Sequence, residues 1–197
     1  MKVVRYQLQG FLPKDMKFIK QTFDDPRGHS GNGYCFRRCR KPYSPDIIIR
    51  LTPRHVIGEI FRNDPSLVNL SVTDYSGYPK KIYIDHLNWH TTPEDFTGCH
   101  KTYKQYLLQH ELGHALGLFH HDHPIHDQTH PGKCPVMYQQ TKGTSVCKPN
   151  PWLHPNKPVK KGRSKKSSKK SPKKSSKKSS KKSSKKSSKK SKGKGKQ

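Results

Sequence analysis

Short apolar runs separated by polar residues dominate the first part of the chain and predict a sheet with short connections. Residues 3–8 alternate between apolar and polar side chains, as a strand does. A helix is predicted to begin at Pro13, since proline is favoured in the first helical turn. It should end near residues 24–26, because Pro26 cannot continue it. The Gly- and Ser-rich residues 27–33 predict a loop.

Three further apolar segments also predict strands. Residues 46–51 are rich in β-branched side chains and stop before Pro53, which indicates a buried strand. Residues 70–73 and 81–85 predict two shorter strands, and the composition of residues 75–79 predicts a turn between them.

The longest predicted helix spans residues 101–118, which contain no proline and are mostly good helix formers. We expect about five turns of 3.6 residues each. The helix should end at Gly117, since glycine readily adopts the left-handed conformation that closes a helix. Residues 122–140 predict irregular structure because they contain several prolines, and the folded body is expected to close around Trp152.

The distribution of charge divides the chain into a folded domain, 1–156, and a basic tail, 157–197. The tail holds 21 of the 41 Lys and Arg and no Asp or Glu, so it carries 21 of the 28 net positive charges. Its Lys-Lys-Ser-Ser repeat is almost free of apolar residues and cannot offset its ordering entropy, so we expect disorder. Ser-Pro-Lys-Lys at residues 171–174 resembles a unit of linker-histone tails, and the repeat resembles tails on proteins of large DNA viruses.

The remaining composition bears on the compartment. No apolar run exceeds three residues, whereas a membrane span needs about 20 and a signal-peptide core about 7–15. We therefore expect a soluble protein without a visible signal peptide, and an exported form, the interior of a host cell and a virion all stay open. Cys134 and Cys147 either form a disulfide or pack as reduced thiols, and the other three cysteines, Cys35, Cys39 and Cys99, predict no particular chemistry.

Within the predicted long helix, His110, Glu111 and His114 form an H-E-x-x-H motif. Four residues are just over one turn, so both imidazoles project from one face and can bind one Zn²⁺. Glu111 is close enough to reach a water on the metal without being a ligand. The five-residue motif also occurs by chance on helices with surface His and Glu, so the residues after it decide the interpretation.

Gly117 and His120 extend the motif to H-E-x-x-H-x-x-G-x-x-H, the spacing typical of metzincins. Glycine allows the chain to leave the helix sharply, which brings a third imidazole to the metal. Three histidine ligands leave the fourth position of zinc for water, as in catalytic sites. The predicted site is one zinc ion held by His110, His114 and His120, with Glu111 as the catalytic general base.

Other histidines provide alternatives. His121, Asp122 and His123 directly follow His120 and are candidates to compete for the zinc or to support its ligands, with His123 as the alternative third ligand. The remaining candidates are expected to lie in loops, with a second metal site as the less favoured interpretation: His86, His90, His100, His126 and His130.

Met137 lies 17 residues after His120 and fits the Met-turn that packs beneath the ligands of metzincins. Some metzincins have a tyrosine near the metal two residues after this methionine. Here that position is Gln139, so we assign no metal role to Tyr138.

Residues 81–153 resemble a family of metzincin-like proteins of uncharacterised function, found chiefly among secreted bacterial proteins. The similarity includes the zinc motif, Pro-Val-Met-Tyr-Gln-Gln-Thr at 135–141, Cys-Lys-Pro-Asn-Pro-Trp at 147–152 and, upstream, Thr-Phe-Asp-Asp-Pro-Arg-Gly at 22–28. The resemblance implies an α+β fold of the zincin-like (metzincin) type, with a mixed twisted sheet over an active-site helix. It also implies that the substrate lies along an edge strand.

The predicted function is that of a zinc metallopeptidase, an endopeptidase that hydrolyses protein or peptide substrates through a metal-activated water. The tail, 157–197, predicts binding to nucleic acid or another polyanion, such as DNA; a merely solubilising or nuclear-targeting extension is the alternative. A rival function is a basic nucleic-acid-binding or virion packaging protein whose zincin body is a zinc-stabilised, weakly active or inactive scaffold. Glu111 favours the enzyme, because a scaffold needs the ligands but not the base.

Overall fold

The computed structural model describes residues 1–40, 42–121 and 130–159, all within one unit, Met1–Lys161. The strands in this part of the chain are β1 (Lys2–Gln9), β2 (Tyr34–Arg38), β3 (Ile47–Thr52), β4 (Val72–Asp74) and β5 (Lys80–Asp85). The α-helices are α1 (Pro13–Phe23), α2 (Arg54–Ile60), α3 (His86–His90) and α4 (His100–Ala115). Short 3₁₀ helices occupy His29–Asn32, Pro65–Leu67 and Gln140–Lys142.

The five strands form one mixed sheet in the order β2-β1-β3-β5-β4. Three of the four neighbouring pairs are parallel, and β4 alone runs antiparallel, against β5. This arrangement confirms the expectation of a mixed sheet. Strand β4 lies at the edge of the sheet and contacts α4, so the edge strand and the helix with the histidine motif are neighbours.

Side chains of β5 alternate between two apolar layers, as a strand covered on both faces requires. Ile82 and Ile84 are buried in the main core, which also contains Leu108 and Leu112 of α4. Tyr83 points to the opposite face and packs in a smaller cluster with Ile57 of α2. The sheet is therefore held between α4 and α2 near its β4 edge.

Most predicted elements are present with shifted ends. The predicted helix 101–118 ends at Ala115, three residues early, and the predicted strand 70–73 lies at Val72–Asp74. The elements β2, α2 and α3 were not predicted. Residues 122–129, with His123 and His126, and the tail from residue 160 lie outside the described residues. No described helix is both long and apolar enough to cross a membrane.

The cysteines adopt the first of the two predicted alternatives. Cys134 and Cys147 form a disulfide, and Cys35, Cys39 and Cys99 are free.

Candidate metal centre

Helix α4 supplies the first two histidines of the candidate centre. His110 is buried and His114 is half-buried, and their spacing of four residues places both rings on one face of the helix. Their Nε2 atoms are 3.3 Å apart. The structure thus brings together the two histidines that the H-E-x-x-H motif predicts to share a metal.

The turn after α4 supplies the third histidine. Gly117 has a φ of +94°, in the left-handed region that glycine tolerates best. The amide of Leu118 donates to the carbonyl of Gly113, and the amide of Gly117 donates to that of His114, which is the Schellman pattern of helix termination. Because the chain reverses at this glycine, His120 returns towards the helix face that carries the other two rings.

The three imidazoles converge on one point. The Nε2 atom of His120 lies 3.0 Å from that of His114 and 3.3 Å from that of His110. A tetrahedral zinc ion with Zn–N bonds of about 2.0–2.1 Å separates its ligand atoms by about 3.3 Å. The spacing of the nitrogens therefore fits this coordination geometry, and the described residues contain no other cluster of three potential ligands.

Two of the rings are held with their Nε2 lone pairs directed inward. Nδ1 of His110 lies 2.8 Å from the carbonyl oxygen of Val136, and Nδ1 of His114 lies 2.9 Å from that of Leu118. A carbonyl only accepts hydrogen bonds, so each Nδ1 carries a proton and donates it. In the neutral rings Nε2 then has no proton, which is the form that binds a metal.

The surroundings of these rings also disfavour their charged forms. Burial lowers the pKa of His110 to about 3, and the neighbouring His114 and His120 act in the same direction. Burial also lowers the pKa of His114. Neutral imidazoles are thus the stable form at neutral pH, as metal binding requires.

Glu111 lies beside the histidines but on a different side of α4. Its carboxyl group is buried, and its Oε2 atom is 2.6 Å from the hydroxyl of Thr73 on β4. Burial raises the pKa of Glu111 to about 7, and the hydrogen bond from Thr73 opposes that change. Thr73 was not found by sequence reasoning, because no motif links a strand residue to a helix 38 positions later.

The predicted Met-turn, which carries Met137, packs directly against α4. A Cβ added at Gly113 would overlap the sulfur of Met137 and would lie 3.4 Å from Nε2 of His29. Glycine at this position of the motif therefore permits close packing of the methionine. The same turn supplies the Val136 carbonyl that orients His110, so the turn sets both the position and the tautomer of a predicted ligand.

Two buried amides hold the Met-turn in place. The side chain of Gln140 donates to the carbonyls of Pro135 (3.1 Å) and Asn150 (2.8 Å). The side chain of Asn150 donates to the carbonyls of Cys134 (3.0 Å) and Trp152 (2.8 Å). Together with the 134–147 disulfide, these bonds give the irregular segment a defined shape.

Gln109, the residue before His110, is held by hydrogen bonds to the end of α1 and the segment that follows it. The Gln109 amide donates to the carbonyl of Thr22 (2.8 Å) and accepts from the amide of His29 (3.2 Å). Nε2 of His29 lies 2.8 Å from the Gln109 carbonyl oxygen, and a Cβ at Gly28 would overlap the Gln109 side chain. The sequence resemblance at residues 22–28 thus falls on a segment that positions α4, whereas the role of His29 was not predicted.

A cleft of about 390 Å³ opens above the centre. One wall comes from residues 61–75, including β4, and the floor contains the three histidines and Glu111. Gln139 and Thr141 line the other side, whereas Tyr138 does not line it.

The other predicted histidines do not join this centre. The prediction that these histidines lie in loops is wrong for His86 and His90, which lie on α3, and for His100, the first residue of α4. The rings of His86 and His90 are tilted with centroids 4.5 Å apart, and His100 contacts the hydroxyl of Thr92 at 3.0 Å. In the described part of the chain neither arrangement gathers three ligands. His123, the alternative third ligand, lies outside the described residues.

A family described as "Protein of unknown function (DUF3152)" matches residues 12–148, more than half of the chain. The chain belongs to this family. No match was found among curated proteins.

Two solved structures of myroilysin are similar to this family member. The first has 20% identity and a TM-score of 0.40, over 63% of this chain and 52% of the myroilysin chain. The second has 18% identity and a TM-score of 0.39, over 60% and 44%. The match thus spans about half of the myroilysin chain.

Proposed function

We propose that the protein is a zinc-dependent endopeptidase of the metzincin type with a zincin-like fold. The observation that carries the proposal is the convergence of three Nε2 atoms within 3.0–3.3 Å of one another, in a cleft that Glu111 also lines. At least two of these nitrogens present lone pairs, which repel each other unless a cation lies between them. Three imidazoles in this geometry suit zinc.

The proposed ligands are His110, His114 and His120, with one zinc ion per chain. Bound zinc would supply a Lewis acid that polarises the substrate carbonyl and makes a water molecule more acidic. The protein holds the rings in position through the Val136 and Leu118 carbonyls.

Glu111 is the proposed general base and acid. Its carboxylate would accept the proton of the attacking water and later deliver that proton to the leaving amine nitrogen. A pKa raised by burial to about 7 suits both steps near neutral pH. Thr73 would hold the carboxyl group towards the cleft through its 2.6 Å contact.

Strand β4 would bind the substrate. Among the described residues it pairs with β5 on one side only, so its other side can pair with an extended peptide. Because β4 lines the same cleft as Glu111, a peptide in this position would pass over the metal centre.

The rival function, a nucleic-acid-binding protein with an inactive zincin scaffold, is less favoured by the position of Glu111. Burying a carboxyl group costs free energy unless its interactions offset that cost. A scaffold would gain nothing from a buried carboxyl group beside its metal ligands, whereas a peptidase requires one.

The proposed domain division assigns catalysis to residues 1–156 and polyanion binding to 157–197. The support is the charge distribution, with 21 of 28 net positive charges in the tail. A chain ending at Asn156 should keep peptide cleavage and lose most DNA affinity, and DNA binding by the full chain should weaken steeply with salt. Undiminished DNA binding by the shortened chain would contradict the division.

Cleavage of a peptide library by the zinc-loaded full chain, followed by mass spectrometry for new termini, tests the peptidase proposal. Chelation should abolish cleavage and added zinc should restore it. Glu111→Gln should retain zinc and lower the rate by about 10²–10⁴-fold, whereas the exposed Glu94→Gln should behave as the parent. A zinc-loaded parent that cleaves no peptide would leave the scaffold function in its place.

A further inference from the structure

The cleft above the metal centre has a different charge balance from the domain around it. Residues 1–156 contain 20 Lys and Arg against 13 Asp and Glu. By contrast, the described residues that line the cleft include Asp64, Asp74 and Glu111 but no Lys or Arg. Away from the metal centre, the carboxylates of Asp64 and Asp74 are thus not balanced by any Lys or Arg among the described lining residues.

Two of these carboxylates line the cleft that the proposed peptide would cross. Asp64 follows α2, and Asp74 is the last residue of β4. In each, Oδ1 accepts hydrogen bonds from the amide and hydroxyl of a serine two residues later. Among the described residues, no hydrogen bond reaches the Oδ2 atom of either carboxylate, so each can accept one from a bound cation.

One basic side chain, Lys81, lies opposite Asp74 in the sheet but outside the cleft lining. Lys81 stands opposite Asp74 in the β4–β5 pairing and lowers the pKa of Asp74, after the larger effect of the hydrogen bonds from Ser76. Lys81 does not line the cleft. Asp74 therefore stays ionised at neutral pH, at the border of the cleft.

Part of the remaining lining consists of large apolar side chains, several of them exposed. Phe119 is 73% exposed and directly precedes His120, while Tyr75 is 58% exposed and directly follows Asp74. Leu67, Leu70 and Val72 continue the apolar surface along one wall. Large apolar side chains left exposed at the mouth of a cleft are typical of a ligand-binding surface.

We propose that the substrates are cationic peptide segments in which a Lys or Arg lies close to large apolar residues, with Asp64 and Asp74 selecting the basic side chain. This inference rests on the proposed peptidase function and names its substrate class. Exposed ion pairs contribute about 1 kcal/mol at most, a factor of about five, so we expect a preference and not an absolute requirement.

The test uses the zinc-loaded full chain and three peptides that share one apolar core and differ only in the flanking residues, which are Lys, Gln or Glu. In competition, kcat/KM should fall in the order Lys, Gln, Glu. Asp64→Asn and Asp74→Asn should each lower kcat/KM for the Lys peptide about threefold to fivefold and leave the Gln peptide within about twofold. Glu59 is an exposed carboxylate on α2 that does not line the cleft, so Glu59→Gln is the matched control. This variant should leave kcat/KM unchanged for both the Lys and the Gln peptide.

A binding experiment separates this inference from the peptidase proposal. Fluorescence anisotropy measures the affinity of the same three peptides for the Glu111→Gln protein, which should bind them without cleaving them. If the parent cleaves nothing but the Lys peptide binds best and Asp64→Asn or Asp74→Asn removes that preference, the peptidase proposal fails and the cationic preference stands. If the peptides are cleaved with no advantage for Lys, the inference is overturned while the peptidase proposal survives. If Asp64→Asn and Asp74→Asn lower kcat/KM equally for all three peptides, the two aspartates have a structural role, and the inference is also overturned.

Discussion

The Thr73 hydroxyl oxygen lies 2.6 Å from Oε2 of Glu111 and 3.0 Å from the main-chain oxygen of the same residue. A hydroxyl has one proton, so it donates to one of these oxygens at a time. When Glu111 is ionised, Thr73 donates to the carboxylate. When Glu111 is protonated, the carboxyl group donates to Thr73, and Thr73 can donate to the main-chain oxygen. Strand β4 therefore satisfies both protonation states of the proposed proton carrier.

Replacing Thr73 should separate this role from simple packing. Thr73→Val keeps the shape but removes the hydroxyl, and we expect kcat to fall about 10- to 100-fold with little change in KM, since a hydrogen bond to a charged group is worth about 1.5–3 kcal/mol. Thr73→Ser retains the hydroxyl and should recover most of the rate. Steady-state kinetics on one cleaved peptide measures both, and a serine variant as slow as the valine variant would argue against the role.

The identity of the third ligand can be measured without any substrate. His120→Ala should weaken zinc binding by more than about 100-fold, because losing even a partner that orients a ligand costs about 10–100-fold. Competition with a chromogenic chelator gives the affinity, and elemental analysis should find one zinc per parent chain. His121→Ala is the neighbouring control and should keep zinc. Loss of zinc in His123→Ala together with full occupancy in His120→Ala would make His123 the ligand.

Close packing of the Met-turn against α4 predicts a coupling between Gly113 and Met137. Gly113→Ala should destabilise the fold by about 1–3 kcal/mol, since the added Cβ overlaps the methionine sulfur. In combination with Met137→Ala the loss should be smaller than the sum of the two single losses, by about 0.5–3 kcal/mol. Denaturant unfolding of the parent, the two single variants and the double variant measures this coupling free energy.

Gly58→Ala provides the control for that cycle. Gly58 lies in α2, and a Cβ added there meets no atom within 4 Å. This change should stabilise the protein by up to about 1 kcal/mol, because alanine is the better helix former. Additive losses at Gly113 and Met137 would mean that the two sites do not interact.

Local rules explain which parts of the site could be predicted from sequence. The four-residue spacing of His110 and His114 determines that they share a helix face, and Gly117 permits the turn that returns His120. Thr73 and His29 act through contacts with residues 38 and 80 positions away. Contacts at such distances depend on the complete fold, so no local pattern indicates them.

The elements that were not predicted have a related explanation. Helix α2 is seven residues long, contains Gly58 and has no side-chain N-cap, so its intrinsic helix propensity is weak. Burial of Ile57 against Val72 and Tyr83 stabilises it instead. Strand β2 lies at the sheet edge and buries only Phe36, so it lacks the apolar alternation that reveals a strand.

His29 gives the fold a pH dependence that can be measured apart from zinc binding. The ring is 1% exposed, and burial lowers its pKa from 6.5 to about 4. The pKa of His29 is lower in the folded protein than in the unfolded chain, so the unfolded chain takes up the proton first as the pH falls. The stabilisation by neutral His29 is therefore complete above pH 6.5 and is lost as the pH falls towards 4. The loss amounts to about 3 kcal/mol over this window, at 1.36 kcal/mol per pH unit.

In His29→Gln the amide can still donate to the Gln109 carbonyl but does not titrate. We therefore expect the free energy of unfolding of this variant, measured with denaturant at saturating zinc, to decrease by about 3 kcal/mol less than that of the parent between pH 6.5 and pH 4. Protons linked to zinc binding affect both proteins equally and cancel in the comparison. His55→Gln, an exposed change, should follow the parent at every pH. Parallel pH profiles for the parent and His29→Gln would show that His29 can be charged within the fold at little cost.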